Sequence, residues 1–374
     1  MRIITKHSQI DFFLLEYIYT NHKMARESIS KIAYKTLQQS KSIAGFAHKQ
    51  ISSRLMNFIL PDSNLENFDI DKDLLLQIQN SMDELREEDW KDAEKNIYPK
   101  RLLFDEPWLR YLTQYPKIWL DMPNTWDRRR KQNFDDLPKS VEKDNYPQYY
   151  LRNFHHQTDG YLSDFSASIY DLQVEILFNG SADSMRRRII KPIKEGLKNF
   201  SDRKKSSIKI LDVATGSGST LKHLRAAFPK EKIIGFDLSD SYLKEASRYI
   251  SDSDGDLIEL IKGNAEELPF ENDSFQCISC VYLFHELPRT IRAKVLNEFF
   301  RVLEPGGILV LADSIQISDS PDFTSVMENF YKSFHEPFYC DYIKENIDSK
   351  IEEIGFKDVK SNSFFMTKVW SAVK

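Results

Sequence analysis

"ILDVATGSGST", residues 210–220, decides how this chain is read. An apolar run ends in Asp212, and Gly216 and Gly218 follow two residues apart. Glycine is scarce, 12 in 374 residues with Gly45 alone in the first 159, so two within three positions mark a backbone requirement. A strand that ends in an acid and turns through glycine into a helix N-terminus forms a cradle, because glycine allows positive φ and a close ligand.

The pattern around this stretch alternates. "SIKILDV" is followed by a helical spacing of Leu221, Leu224 and Phe228, stopped by Pro229. "KIIGFDL" precedes a second helix with Leu243, Ala246 and Ile250, for which Ser239 is the expected N-cap. "LIELIKG" and "SFQCISCVYLF" read as further strands, the latter leading to a helix through Ile291, Val295, Phe299 and Val302. "ILVLADS" follows the turn "EPGG". Short β-branched runs alternating with helices predict an α/β, doubly wound parallel sheet with helices on both faces. After a helix in "YIKENIDSKIEEIGF", the tail "FKDVKSNSFFMTKVWSAVK" holds two strand-like runs, which predict a closing antiparallel hairpin.

The N-terminal part has a different grammar. Leu75, Ile78, Met82 and Leu85 recur at helical spacing beside "DELREEDWKDAEK", read as a solvated face, and 43–60 reads as a helix around Phe46, Ile51, Leu55 and Phe58. Prolines and aromatics without period over 96–155 predict irregular packing, and "SADSMRRRIIKPIKEGLKNF" (181–200) a helix. The expected organisation is a mainly helical region (1–145), lid or connector helices (146–205) and the α/β domain (206–374).

Composition narrows the class. Hydrophobic residues at 41% and aromatics at 13% suffice for a core, while a net charge of −5 argues against a general nucleic-acid binder. The basic runs "DRRRK" (127–131) and "MRRRIIK" (185–191) read as solvated faces or loops. Three cysteines imply a reducing compartment, and Cys277 and Cys280 should sit on opposite faces of a strand rather than share a metal. The N-terminal stretch lacks an uninterrupted apolar core and no run is long enough to span a bilayer, so the expectation is a soluble, cytoplasmic chain.

Asp237 ends the second strand 21 residues after Gly216, where a carboxylate can accept both hydroxyls of a ribose. NAD and S-adenosylmethionine both meet that requirement. A dinucleotide fingerprint wants a third glycine where Leu221 stands, and Asp212 beside the loop would repel a pyrophosphate but suit a cation. The charge argument favours a sulfonium cofactor.

Four segments in order, "ILDVATGSGS", "IIGFDLSDSYLKEA", "GNAEELPFENDSFQCISCVYLFHEL" and "EFFRVLEPGGILVLADS", resemble the class I S-adenosylmethionine-dependent methyltransferases, over roughly 185–374. Within them the chain is most similar to the group that includes ubiquinone and menaquinone C-methyltransferases. The resemblance implies a seven-stranded Rossmann-like sheet and S-adenosyl-L-methionine as cofactor. It places Gly216 and Gly218 against the cofactor with Asp212 near its methionyl part, Asp237 on the ribose, Leu238, Asn264 and Ala265 at adenine, and Ala214, Thr215, Ser217 and Tyr282 among the other cofactor contacts. Ala214 replaces the usual first glycine of the loop, Asn264 replaces an acid, and Gln276 stands where an acid is common.

The end of the fourth strand, "VYLFHELP", lacks the Asn or Asp followed by two prolines typical of methylation at planar amino groups. A small acceptor is therefore expected, a quinone, phenol or isoprenoid methylated on oxygen or carbon, without nucleic acid. His285 is the candidate base. Tyr150, His155, His156 and Tyr161, in the segment before the domain, are candidate acceptor contacts. No metal is expected, since the adjacent His155 and His156 rarely converge on one ion. The alternatives are an RNA or protein methyltransferase that binds its substrate through the helical region, and a cofactor-binding assembly protein without catalysis.

Overall fold

The computed structural model describes residues 28–59, 72–251 and 258–374, so the N-terminal stretch read above for a leader lies outside the described residues. The helical part comprises α1 (Ile29–Ile59), α2 (Lys72–Glu94), α3 (Trp108–Lys131), α4 (Asp164–Leu177), α5 (Ala182–Arg186) and α6 (Ile190–Gly196). The alternating part follows as β1 (Lys209–Val213), α7 (Ser219–Ala227), β2 (Lys232–Asp237), α8 (Asp240–Ser251), β3 (Ile258–Lys262), β4 (Phe275–Val281), α9 (Arg289–Val302) and β5 (Leu303–Ser314). Helices α10 (Thr324–Ser333), α11 (Tyr339–Tyr342) and α12 (Ile347–Ile354) precede β6 (Lys357–Phe364) and β7 (Thr367–Val373).

The seven strands form one sheet in the order β3-β2-β1-β4-β5-β7-β6. The first five are parallel, and β7 pairs antiparallel with both β5 and β6. This is the doubly wound sheet with a C-terminal hairpin that the sequence predicts. Strand order reverses between β1 and β4, and the crevice beyond their carboxyl ends is where such sheets bind ligands. β5 begins earlier than expected, at Leu303. The "EPGG" turn continues the strand beside a register shift between Phe275 and Cys277, with Gly306 at φ 83.

Two apolar clusters fill the two faces of the sheet. One gathers Phe275, Ile278, Cys280, Phe299 and Trp370. The other joins Ile210, Ile233, Cys277 and Val310 to Tyr34 on α1, Trp90 on α2 and Tyr98. Cys277 and Cys280 thus lie on opposite faces, as β-periodicity requires. The N-terminal helices complete the core beneath one face of the sheet.

That junction explains two departures from the sequence reading. Arg86, Asp89 and Asp92 on α2 are buried rather than solvated, and so are Arg186, Arg187 and Arg188. Asp89 accepts hydrogen bonds from Tyr34 (2.9 Å), Tyr98 (2.6 Å), Ser184 (3.1 Å), Arg187 (2.6 and 2.9 Å) and Arg188 (2.6 Å), while Asp92 pairs with Arg188 at 2.7 Å. Burial alone would raise the Asp89 carboxyl, but the two guanidiniums hold it well below the usual carboxylate range. Arg187 and Arg188 thus form an internal clamp rather than a solvated face.

The third departure is α3, a 24-residue helix where irregular packing was expected. Pro116 and Pro123 lie inside it, both exposed and seven positions apart, hence on one solvent-facing side. The carbonyls that lose partners there can bond to water. The opposite side buries Gln114, Ile118, Asp121, Trp126 and Arg128.

Candidate functional site

The loop between β1 and α7 turns through left-handed backbone at Ala214 (φ 58), Gly216 (φ 55) and Gly218 (φ 88). Its two glycines do different work. Gly216 borders a cavity, and its N–H donates to Asp237 Oδ2 at 2.8 Å. Gly218 lies away from the cavity, where an added Cβ would sit 3.1 Å from the backbone and side chain of Ala246 on α8, so it lets the two helices approach. Ala214 takes up a conformation costly for a residue with a Cβ.

Asp212 is buried behind the loop and does not border the cavity. Its carboxylate accepts hydroxyl bonds from Thr215 (2.7 Å) and from Ser279 (2.6 Å), which faces it across the β1–β4 register. Asp237 does face the cavity, and Oδ1 accepts the Ser239 N–H at 2.8 Å. Burial pushes both acids up to about 6, with hydroxyl bonds opposing the rise at Asp212 and backbone N–H bonds at Asp237. Ser239 caps α8 as expected, accepting the Tyr242 N–H at 3.3 Å while its hydroxyl donates to the Tyr161 carbonyl at 2.6 Å.

The cavity encloses about 970 Å³ with its mouth included. Of the predicted residues, Ala214, Thr215, Gly216, Ser217, Asp237, Leu238, Asn264, Ala265, Tyr282, Tyr150 and Tyr161 line it. Asp212, Gly218, His285, His155 and His156 do not. The Asn264 carbonyl oxygen already accepts the Glu266 N–H at 3.0 Å, with a second lone pair available.

An aromatic wall covers one side. Tyr161 lies 5.4 Å from Tyr242 and 6.0 Å from both Tyr150 and Tyr170, ring centre to ring centre. The segment 146–173 thus folds over the carboxyl edge of the sheet. Sequence reasoning missed three charged residues of this wall. Asp171 accepts a bond from Ser217 at 2.8 Å, Arg186 lies 3.7 Å from Asp171, and Glu286 accepts the Tyr161 hydroxyl. Glu286 follows His285 directly and was within reach of the sequence, but nothing in a local pattern marks Asp171 or Arg186.

The predicted histidines occupy a layer behind Glu286. Consecutive left-handed residues, His155 (φ 54) and His156 (φ 56), separate the adjacent imidazoles. His156 packs beside Phe134, while His155 Nε2 lies 3.4 Å from Glu286 and its Nδ1 2.9 Å from Glu336. His285 Nδ1 sits 2.7 Å from Asp313 Oδ1. Burial alone would lower the His285 imidazole, yet Asp313 and Glu286 raise it to about 9.

The cradle fits the expected cofactor. Asp237 keeps carboxylate lone pairs at the cavity wall, Gly216 adds no side chain at its own place in the loop, and Leu238 and Ala265 supply apolar walls. Among the described residues no helix is long and apolar enough to cross a membrane.

A family described as a methyltransferase domain matches residues 210–307. A demethylmenaquinone methyltransferase from Thermotoga maritima is 32% identical over 177 residues, 47% of this chain and 70% of that protein. The ubiquinone/menaquinone biosynthesis C-methyltransferase UbiE of Hahella chejuensis is 32% identical over 152 residues, 40% of this chain and 57% of that protein. The matched portions span between 50% and 76% of the curated relatives' lengths. Human N-acetylserotonin methyltransferase, solved with SAM, superposes with a TM-score of 0.47 at 13% identity, covering 69% of this chain and 68% of that one.

Proposed function

We infer that this chain, which belongs to the class I S-adenosylmethionine-dependent methyltransferases and to the family that includes the demethylmenaquinone enzymes, methylates a small, largely apolar aromatic acceptor such as a quinol or phenol. The observation that carries the acceptor class is the cavity itself, where the glycine cradle and a wall of tyrosines border one space.

S-adenosylmethionine supplies a methyl group on a sulfonium: the acceptor's electron pair forms the new bond, the departing pair stays on sulfur, and the acceptor's proton leaves to a base. The chain's task is alignment and proton removal. Asp237 would accept the ribose hydroxyls, Leu238 and Ala265 would flank adenine, and Asn264 would meet its edge. Arg186, missed in the sequence, would pair with the methionyl carboxylate beside Ser217. Tyr150 and Tyr161 would flank the acceptor ring. Asp212 acts indirectly, by fixing Thr215 in the loop. Glu286 is the carboxylate on the acceptor side, so we assign it the proton-handling role that the sequence suggested for His285, which stands behind it.

Incubating the purified chain with methyl-labelled S-adenosylmethionine and a panel of quinols and phenols tests this reading. Labelled product from at least one, with turnover reduced in Glu286→Gln, is the expected result. Absence of product from every member would overturn the acceptor assignment.

A further inference from the structure

Behind the aromatic wall, four residues from three separate segments converge. His155 precedes α4, His285 and Glu286 follow β4, and Glu336 lies between α10 and α11. One ligand atom from each lies within 4.8 Å of the other three. Two imidazoles and two carboxylates form a donor set suited to a divalent first-row transition ion.

Three further features favour an ion. The Glu336 side chain is fully buried, and neither of its carboxylate oxygens accepts a hydrogen bond among the described residues. A buried charge without such bonds is costly unless a cation compensates it, either a protonated His155, whose Nδ1 lies 2.9 Å away, or a metal ion between the two. His285 has its Nδ1 engaged by Asp313 at 2.7 Å, which leaves Nε2 directed at Glu286, 3.8 Å away. A carboxylate that fixes the rear nitrogen of an imidazole is the usual support of a metal-bound histidine. Finally, His155 is held in left-handed backbone, a strain that accumulates at functional sites.

We propose that His155, His285, Glu286 and Glu336 bind one divalent transition-metal ion, of the zinc or manganese class, directly behind the acceptor wall. The sequence argued against a metal from the adjacency of His155 and His156. The fold separates that pair and supplies the partners from elsewhere in the chain. Glu286 belongs both to the cluster and to the cavity wall, so an ion there would set the charge facing the acceptor.

The full chain, stripped with a chelator and returned to metal-free buffer, is titrated with Zn2+ and separately with Mg2+ by calorimetry. Zn2+ should bind at one ion per chain, about a hundredfold or more tighter than Mg2+, which prefers all-oxygen sites. Glu336→Gln and His155→Ala should each weaken Zn2+ binding by at least about tenfold. S-adenosylhomocysteine binding, measured on the same variants, reports whether the cavity stays folded. Should both variants unfold, Co2+ added to the wild-type chain gives the answer through the visible absorption of a low-symmetry site. Absence of both Zn2+ heat and Co2+ absorption in the wild type would overturn the site, as would undiminished affinity in the folded variants. A purely protonated imidazole–carboxylate network predicts those negative results.

Discussion

Asp237 Oδ2 accepts the backbone N–H of Gly216 at 2.8 Å, tying the end of one strand to the loop that follows its neighbour. The same carboxylate, pushed up to about 6 by burial, borders the cavity together with Tyr150 and Glu286, which face it from the covering segment and from the end of β4. The ionised form is the stronger acceptor. Affinity for S-adenosylhomocysteine should therefore be constant above about pH 7 and fall by up to about tenfold per unit below 6. Asp237→Asn should bind about tenfold to a hundredfold more weakly at pH 8, as expected for losing hydrogen bonds to a charged group, and with a flatter pH profile. Calorimetry across pH checks both.

Arg186 is assigned to the methionyl carboxylate, which permits a comparison of ligands. Arg186→Gln should weaken S-adenosylhomocysteine by about tenfold or more, the value of one charge-assisted hydrogen bond, while leaving 5′-methylthioadenosine, which lacks the amino-acid part, unchanged. Equal losses for both ligands would place Arg186 in a structural role.

The clamp around Asp89 joins α1, α2 and the Arg187–Arg188 pair in the core. Asp89→Asn leaves two buried guanidiniums short of their counter-charge and should cost about 3–5 kcal/mol. Urea unfolding followed by circular dichroism would show it as a lower midpoint.

Two loop positions should respond in opposite directions. Ala214→Gly relieves a left-handed alanine and should stabilise the chain by up to about 1 kcal/mol, after the flexibility of glycine in the unfolded chain is offset. Gly218→Ala places a Cβ 3.1 Å from Ala246 in a positive-φ position and should destabilise by about 1–3 kcal/mol. The same denaturation assay compares them.

These positions also show what the sequence could convey. The strands, their alternation with helices and the closing hairpin were legible because period-two and helical patterns are local. Gly216 and Asp237 were legible for the same reason, each marked by a strand end. Charged residues misled where their partners lay far along the chain. Arg187 and Arg188 read as solvated because Asp89 stands nearly a hundred positions away. Pro116 and Pro123 hid α3, since a proline ordinarily ends a helix, and only a solvent-facing side makes two of them tolerable. Asp212 was expected beside the methionyl part of the cofactor, but it turns away from the cavity toward Ser279, an orientation that depends on the β1–β4 pairing, which no local stretch encodes.

The central claim, that the crevice between β1 and β4 holds a sulfonium nucleoside rather than a dinucleotide, is tested most directly by titrating the wild-type chain with S-adenosylhomocysteine and with NAD in parallel. Saturable binding of S-adenosylhomocysteine at one molecule per chain, displaced by S-adenosylmethionine and with no heat from NAD, is the predicted result. Saturation by NAD with no response to S-adenosylhomocysteine would contradict it.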